Sequence, residues 1–267
     1  MRKESEKPYY GFKKMISIDI SLTLCGVVIT SLAIAFTVLA YSTWQLALCW
    51  FFGVMLLIAA VLWHSMTFVA YPKKARALEE SLLDILRSDW DGKGKVLDIA
   101  TGSGRLAVPI AREFPQAQVI GVDIWTKSWG SFGQTQARAE KNAMIAGVDD
   151  RCTFQYGNAL SLPFKDGEFS LVVSAFAFHE IKAPDKTALI DEAIRVLAPA
   201  GTFLICDLFP RGYVVKNIPE LLEKIQGLGV DDVRHKSMKE AGVNLGPLAR
   251  IWGISYLSGR KSQNQLL

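Results

Sequence analysis

The sequence predicts an α/β protein: a doubly wound sheet of seven strands, the last antiparallel, preceded by two transmembrane helices. Three observations carry that expectation. Two long stretches near the N-terminus contain no charged side chain. From Lys73 onward, short apolar runs alternate with amphipathic ones. The first of those runs then breaks into a loop with two glycines before a helical pattern resumes. The chain has 267 residues, half of them apolar, which accommodates one domain of ordinary size plus an appendage.

The uncharged stretches run from Ile20 to Ala40 and from Trp44 to Ala70. Each is long enough to cross a hydrocarbon core of about 30 Å at ~1.5 Å per helical residue. Only Tyr41 to Thr43 lies between them, so the spans form a tight antiparallel pair. A cleavable leader ending at Val38-Leu39-Ala40 fits less well, because its apolar region is too long and a second span follows at once. Asp19 falls at the mouth of the first span, where it reaches the headgroups at little cost. Arg2, Lys3, Lys7, Lys13 and Lys14 precede the first span, and Lys73, Lys74 and Arg76 follow the second. Positive flanks on one side place both ends of the hairpin, and everything after Ala70, in the cytoplasm. The expected division is a basic N-terminus over 1–15, a hairpin over 16–71 and a single domain over 72–267.

The net charge of +4 is modest and concentrated beside the spans, where basic residues attract anionic lipid. No basic stripe interleaved with aromatics argues for nucleic acid. Cys25 and Cys49 lie in the spans, and Cys152 and Cys206 in apolar runs. None has metal-ligand or redox-pair spacing, so all read as reduced thiols and no metal site is expected.

Ala75 to Arg87 carries Leu78, Leu82, Leu83, Ile85 and Leu86 at helical spacing, with Glu79, Glu80 and Asp84 opposite. Asp91 to Gly94 is a turn. Strands follow at Lys95–Ile99, Gln118–Val122, Cys152–Tyr156, Phe169–Ser174 and Gly201–Leu208. Helical patterns lie between them at Gly104–Phe114, Thr135–Ala146 and Lys186–Leu197, an alternation that means a parallel sheet covered by helices. The tail reads as a helix at Ile218–Leu228, a strand at Val233–Met238 and a last, antiparallel strand at Arg250–Gly259.

Ligands of such sheets bind at the carboxyl ends of the central strands. Here the first strand ends in Asp98-Ile99-Ala100, and Thr101-Gly102-Ser103-Gly104 turns into a helix. Gly102 to Ala107 satisfies the dinucleotide pattern G-x-G-x-x-A, so the glycines alone leave a dinucleotide open. Asp123, ending the second strand, suits a ribose diol in either case. Asp98 separates the two readings, because a carboxylate inside the strand end suits a cationic amino-acid moiety and disfavours a pyrophosphate.

At this point the sequence resembles the class I S-adenosylmethionine-dependent methyltransferases, whose first motif is an acidic residue before a short glycine loop. The resemblance covers most of Ala75 to Arg260 and comes as an ordered series. VIGVD is like the second motif, GNALSLPF (Gly157–Phe164) the third, GEFSLVVSAFAFHEI the fourth strand and its exit, and EAIRVLAPAGTFLICD the following helix and fifth strand. It implies a Rossmann-like domain over 72–267 that binds S-adenosylmethionine through Asp98, Ala100, Thr101, Gly102, Gly104, Asp123, Ile124, Asn158, Ala159 and Ser174. Asn158 is placed to contact the adenine. Three positions depart from the family pattern: Ala100 stands where glycine is common, Asn158 replaces the commoner aspartate, and Ala200 breaks the usual Pro-Gly-Gly. An asparagine still offers a carbonyl oxygen to an exocyclic amine.

Methyl transfer from a sulfonium is an in-line displacement in which positioning supplies much of the acceleration. An oxygen or nitrogen acceptor can also need a base. His179 is the best candidate, with Glu180 as orienting partner and Asp207 as a weaker catalytic candidate, although histidine after this strand is often structural. The Asn/Asp-Pro-Pro-Tyr/Phe signature of nucleobase methylation is absent at Ser174–Ala177. The aromatic loop Trp125–Gly133 has four open readings: a local mini-core covering the adenosine, an acceptor pocket, a clamp on the cofactor, or contact with the bilayer interface. The membrane hairpin points to a membrane-resident acceptor, such as a phospholipid headgroup or quinone precursor. The rival readings are a membrane scaffold with a methyltransferase-like domain and an NAD-dependent reductase.

Overall fold

Long apolar runs without charge form two long helices in a computed structural model that describes residues 7–10, 13–38, 43–67 and 71–263. Helix α1 spans Lys13–Val38 and α2 spans Thr43–Thr67. Each contains a segment long and apolar enough to cross a membrane, Met15–Ala35 and Thr43–Ser65. Leu24, Val28, Trp50, Phe51, Val61 and Leu62 all face outward, so the pair buries little of its apolar surface against itself. Small residues let the two backbones approach: a Cβ on Gly26 would stand 2.8 Å from Leu57, and one on Gly53 would stand 2.9 Å from Thr30 Oγ1. The expected linker residues Tyr41 and Ser42, and the end of the second stretch at 68–70, lie outside the described residues.

Asp19 does not reach outward as its place in the sequence suggests. It is 2% exposed and faces α2, where its Oδ2 meets His64 Nδ1 at 2.7 Å and accepts the hydroxyl of Tyr71. Nearby, Trp63 Nε1 donates to the Met15 carbonyl at 3.0 Å. The helical register turns the carboxylate toward its partner helix, so its Oδ2 is met by side chains from α2 and its exit, while its Oδ1 is buried without a hydrogen-bond partner.

Contacts separate this hairpin, residues 12–76, from a second unit made of residues 7–10 and everything described from Ala77. The second unit contains α3 from Ala77 on (whole helix Pro72–Asp89), β1 (Lys93–Ile99), α4 (Ala107–Glu113), β2 (Gln116–Asp123), the single turn α5 (Lys127–Gly130), α6 (Gln136–Ala146) and β3 (Cys152–Tyr156). There follow β4 (Phe169–Ala175), α7 (Thr187–Arg195), β5 (Leu197–Asp207), α8 (Ile218–Gly227), β6 (Val230–Ser237), α9 (Pro247–Trp252) and β7 (Ser255–Lys261). The sheet order is β3-β2-β1-β4-β5-β7-β6. The first five run parallel, and β7 inserts antiparallel between β5 and β6. Strand order reverses between β1 and β4, which places a crevice at their carboxyl ends.

The strands read as buried because both faces are covered: Leu97, Ile99, Val172, Phe169, Phe203 and Ile205 are essentially without solvent contact. Leu78, Leu82, Leu83 and Leu86 of α3 are buried as their spacing predicts. Helix α6 begins at a cap, the Thr135 hydroxyl accepting the Arg138 amide at 3.2 Å, and ends at left-handed Gly147.

Several boundaries differ from the sequence reading. Residues 101–106 form turns, so the helix expected from Gly104 begins at Ala107 and Pro109 falls harmlessly in its first turn. Strand β5 starts at Leu197, ahead of Gly201, and β6 starts at Val230. Of the expected last strand, Arg250–Trp252 is helical; Gly253, at φ +65°, ends that helix and turns the chain into β7.

Ala200 adopts φ +60° within β5. A left-handed alanine costs about 1–2 kcal/mol, and the greater freedom of glycine in the unfolded chain offsets roughly half of that. Ala200→Gly is therefore expected to stabilise this unit by up to about 1 kcal/mol, measured as a later denaturant midpoint at unchanged slope; an earlier midpoint contradicts the strain.

Candidate active site

At the carboxyl end of β1, parallel pairing sets Asp98 opposite Gly121 of β2 on one side and Val173 of β4 on the other. Asp98 is 2% exposed. Its Oδ2 accepts the Thr101 hydroxyl at 2.6 Å and the Ala107 amide at 3.1 Å, so it binds the glycine loop to the start of α4. Burial, with a smaller contribution from Asp123, pushes its carboxyl up to about 7, while the Thr101 and Ala107 hydrogen bonds pull the other way. A cation brought to this loop would restore the full charge; an anion would drive it further out. The residues present therefore fit a sulfonium amino acid and oppose a pyrophosphate.

The loop itself is gripped from two directions. Asp123 at the end of β2 accepts the Gly102 amide through Oδ2 at 2.9 Å and the Trp125 amide through Oδ1 at 2.7 Å. The Trp125 indole donates to the Gly102 carbonyl at 2.8 Å. Gly102 sits at φ +56°, which favours glycine, and a Cβ there would stand 2.5 Å from Gln134 Oε1 and displace that side chain from the loop. Ala100 shares the left-handed conformation at φ +56° without being glycine. Each carboxylate oxygen of Asp123 keeps a further lone pair, which leaves it able to accept ribose hydroxyls.

The remaining sequence-derived positions fall into two groups. Thr101 is buried within the loop, its amide donating to Val122 O at 3.0 Å. Ser174 is buried and donates to Ile99 O at 2.9 Å, fastening β4 to β1. Ile124 is 47% exposed beyond β2, and Asn158 is exposed beyond β3, where its Oδ1 accepts the Leu160 amide at 3.0 Å; Ala159 beside it is buried.

His179 leaves β4 next to the end of β5. Its Nδ1 lies 2.6 Å from Asp207 Oδ1 and its Nε2 lies 3.3 Å from Glu180 Oε1. Burial pushes the imidazole down, but the Asp207 and Glu180 carboxylates outweigh it and carry the ring up to about 9. Hydrogen bonding to His179 in turn holds Glu180 below the usual carboxylate range. At neutral pH the ring is thus protonated and unable to serve as the base that its position suggests. The fully buried Asp207 also accepts the Phe178 amide at 2.8 Å and the Leu208 amide at 2.7 Å, which makes the pair a joint between the exits of β4 and β5.

Sequence reasoning missed Gln134, whose side chain accepts the Ser103 amide at 3.0 Å. A loop glutamine carries no spacing signal. Trp125 was legible only as part of an aromatic loop; its indole bond to Gly102 supports a role in shaping the cofactor loop. Trp129 and Phe132 pack on one another at 6.0 Å and stay partly exposed.

A doubly wound sheet of this strand order, with an acidic strand end beneath a glycine loop and a second acid after β2, is similar to the class I S-adenosylmethionine-dependent methyltransferase domains. Residues 96–201 match the model of a methyltransferase domain family. A demethylmenaquinone methyltransferase of Thermus thermophilus is 34% identical over 116 residues, 43% of this chain and 48% of that protein. A ubiquinone/menaquinone biosynthesis C-methyltransferase of Geobacter sulfurreducens is 30% identical over 131 residues, 48% of each. The match thus spans about half the length of these curated relatives. Among solved structures, Haemonchus contortus phosphoethanolamine N-methyltransferase 2 with S-adenosylmethionine is 20% identical at TM-score 0.51, covering 69% of this chain and 52% of that one. Geranyl diphosphate C-methyltransferase from Streptomyces coelicolor gives 15% and 0.51, covering 70% and 76%. These two likenesses are of fold.

Below about pH 7, part of the binding energy of a cationic cofactor goes into deprotonating Asp98. S-adenosylmethionine affinity, measured by calorimetry, is therefore expected to climb between about pH 5.5 and 7.5 and then level. In Asp98→Asn the climb disappears and affinity at about pH 7.5 falls by roughly tenfold or more. A variant that keeps wild-type affinity contradicts the role of this carboxylate.

Proposed function

We propose that the protein is a membrane-anchored S-adenosylmethionine-dependent methyltransferase whose acceptor is a lipid or another membrane-resident small molecule. One observation carries the anchoring: two consecutive helices of spanning length present large apolar side chains outward on the same chain as the cofactor loop. Two of the relatives are named for menaquinone or ubiquinone chemistry, which supports an apolar acceptor. Tethering the enzyme to the acceptor's own phase raises the effective concentration of that acceptor. Lys7 and Lys13 before the hairpin and Lys73, Lys74 and Arg76 after it favour cytoplasmic ends on both sides.

In this reading Asp98, Ala100, Thr101, Gly102 and Gly104 hold the charged amino-acid end, Asp123 and Ile124 the ribose, and Asn158 with Ala159 the adenine. Bound S-adenosylmethionine supplies a methyl group on a sulfonium, open to in-line attack. The chain's own contribution is positioning and exclusion of water around that line. Ser174 keeps β1 and β4 in register beside it. The His179 ring, with Nδ1 held by Asp207 and Nε2 by Glu180, serves as a brace between the exits of β4 and β5 beside that line and does not withdraw a proton from the acceptor at neutral pH.

Membranes containing the full chain, incubated with methyl-labelled S-adenosylmethionine and then extracted, are expected to carry label in the organic phase. In right-side-out vesicles the methyltransferase unit should resist added protease. Label confined to water-soluble small molecules overturns the lipid acceptor. Absence of label with retained cofactor binding favours a scaffold, and an accessible domain reverses the orientation.

A further inference from the structure

Residues 7–10 precede the hairpin in sequence yet are folded into the methyltransferase unit, which resumes at Ala77. Their backbone is read by side chains. Asn142 of α6, with no solvent contact, accepts the Tyr9 amide through Oδ1 at 2.8 Å and donates through Nδ2 to the Tyr9 carbonyl at 2.9 Å, as a neighbouring strand would. The same Nδ2 donates to the Ser103 carbonyl at 2.9 Å. One residue on, the Tyr10 carbonyl accepts both the Ser103 hydroxyl and the Gln134 amide group, each at 2.9 Å. Arg138 covers the Tyr9 ring at 5.1 Å, and burial raises the Tyr10 hydroxyl well above the ordinary tyrosine range.

Ser103 is the middle residue of Gly102-Ser103-Gly104, and every one of its polar groups is committed. Its amide goes to Gln134, its hydroxyl to Tyr10 and its carbonyl to Asn142. Both side-chain partners, Gln134 and Asn142, are themselves bonded to residues 9 and 10. Lifting the segment away would leave a buried asparagine, a glutamine and a serine short of partners, each such loss costing about 1–3 kcal/mol. Asp98, Asp123 and Trp125 hold the other parts of the loop, at Thr101 and Gly102, and the Ser103 bonds add the hold at its centre.

From this geometry we infer that residues 7–10 are a positioning strap for the cofactor loop, so that the methyltransferase site is completed by chain lying on the far side of the membrane hairpin in sequence. The inference rests on the cofactor reading above. It makes the hairpin an insertion between two pieces of one cofactor-binding unit, with the strap ending just before α1 begins at Lys13. Docking of the strap and binding of S-adenosylmethionine then support one another, and by linkage each strengthens the other by the same factor.

The test uses the full chain in detergent. Removing residues 1–10 is expected to weaken S-adenosylmethionine binding by about tenfold, equivalent to about 1.4 kcal/mol. Tyr9→Pro, which removes the amide that Asn142 accepts together with the ring beneath Arg138, is expected to weaken it in the same direction with the thermal midpoint of the methyltransferase unit nearly unchanged, and Tyr9→Ala, which removes the ring alone, is expected to weaken it less. In the wild type, saturating cofactor should slow amide hydrogen exchange at residues 9 and 10 by a factor comparable to the truncation's loss, a response that a purely structural tail would not give. Truncated and Tyr9→Pro proteins that bind within about twofold of wild type, or exchange indifferent to cofactor, overturn the strap. A wild-type chain that ignores S-adenosylmethionine overturns the cofactor reading, and the strap with it.

Discussion

Asp98 has almost no water around it, and its charge is met by one hydroxyl and one backbone amide. That is too little to keep a carboxylate at its ordinary acidity, and Asp123 on the neighbouring strand adds a like charge. The arrangement is a constraint on everything near it. Sheet register must bring both acids to the same edge, the loop above them must be glycine-bearing to turn over the buried oxygen, and a ligand must be positively charged to relieve the pair. Fold, loop composition and cofactor class follow from one poorly solvated charge.

The joint between His179 and Asp207 performs a different service with similar materials. Asp207 gathers backbone amides from the exits of β4 and β5 as well as the imidazole, so the two strand exits are tied at one carboxylate. Two carboxylates hold the ring in its charged form. Chemistry at that joint is then governed by charge and placement, which suits a displacement whose barrier depends chiefly on alignment.

The hairpin shows the reverse pattern of exposure. Its outward face is apolar, its inner contact is eased by Gly26 and Gly53, and its one acidic residue is turned inward to His64 and Tyr71. A carboxylate among apolar helices is costly unless it is hydrogen-bonded, which explains why the polar residues of the two spans meet at one level. Residues 7–10 show that the sequence position of this insertion is no guide to where the catalytic unit begins.

Much was legible before any coordinates. Uncharged length announces the two long helices, and alternation of apolar runs announces the parallel sheet, because both patterns report solvent exposure residue by residue. The acidic residue ahead of Gly102 announces a cationic ligand, since charge type is visible in the letters. Tertiary structure alone decided the direction of Asp19, the charge state of His179 and the roles of Gln134, Asn142 and Tyr10. Each depends on which atoms from distant segments lie within about 3 Å, and hydrogen bonds across more than a hundred residues of chain leave no local pattern to read.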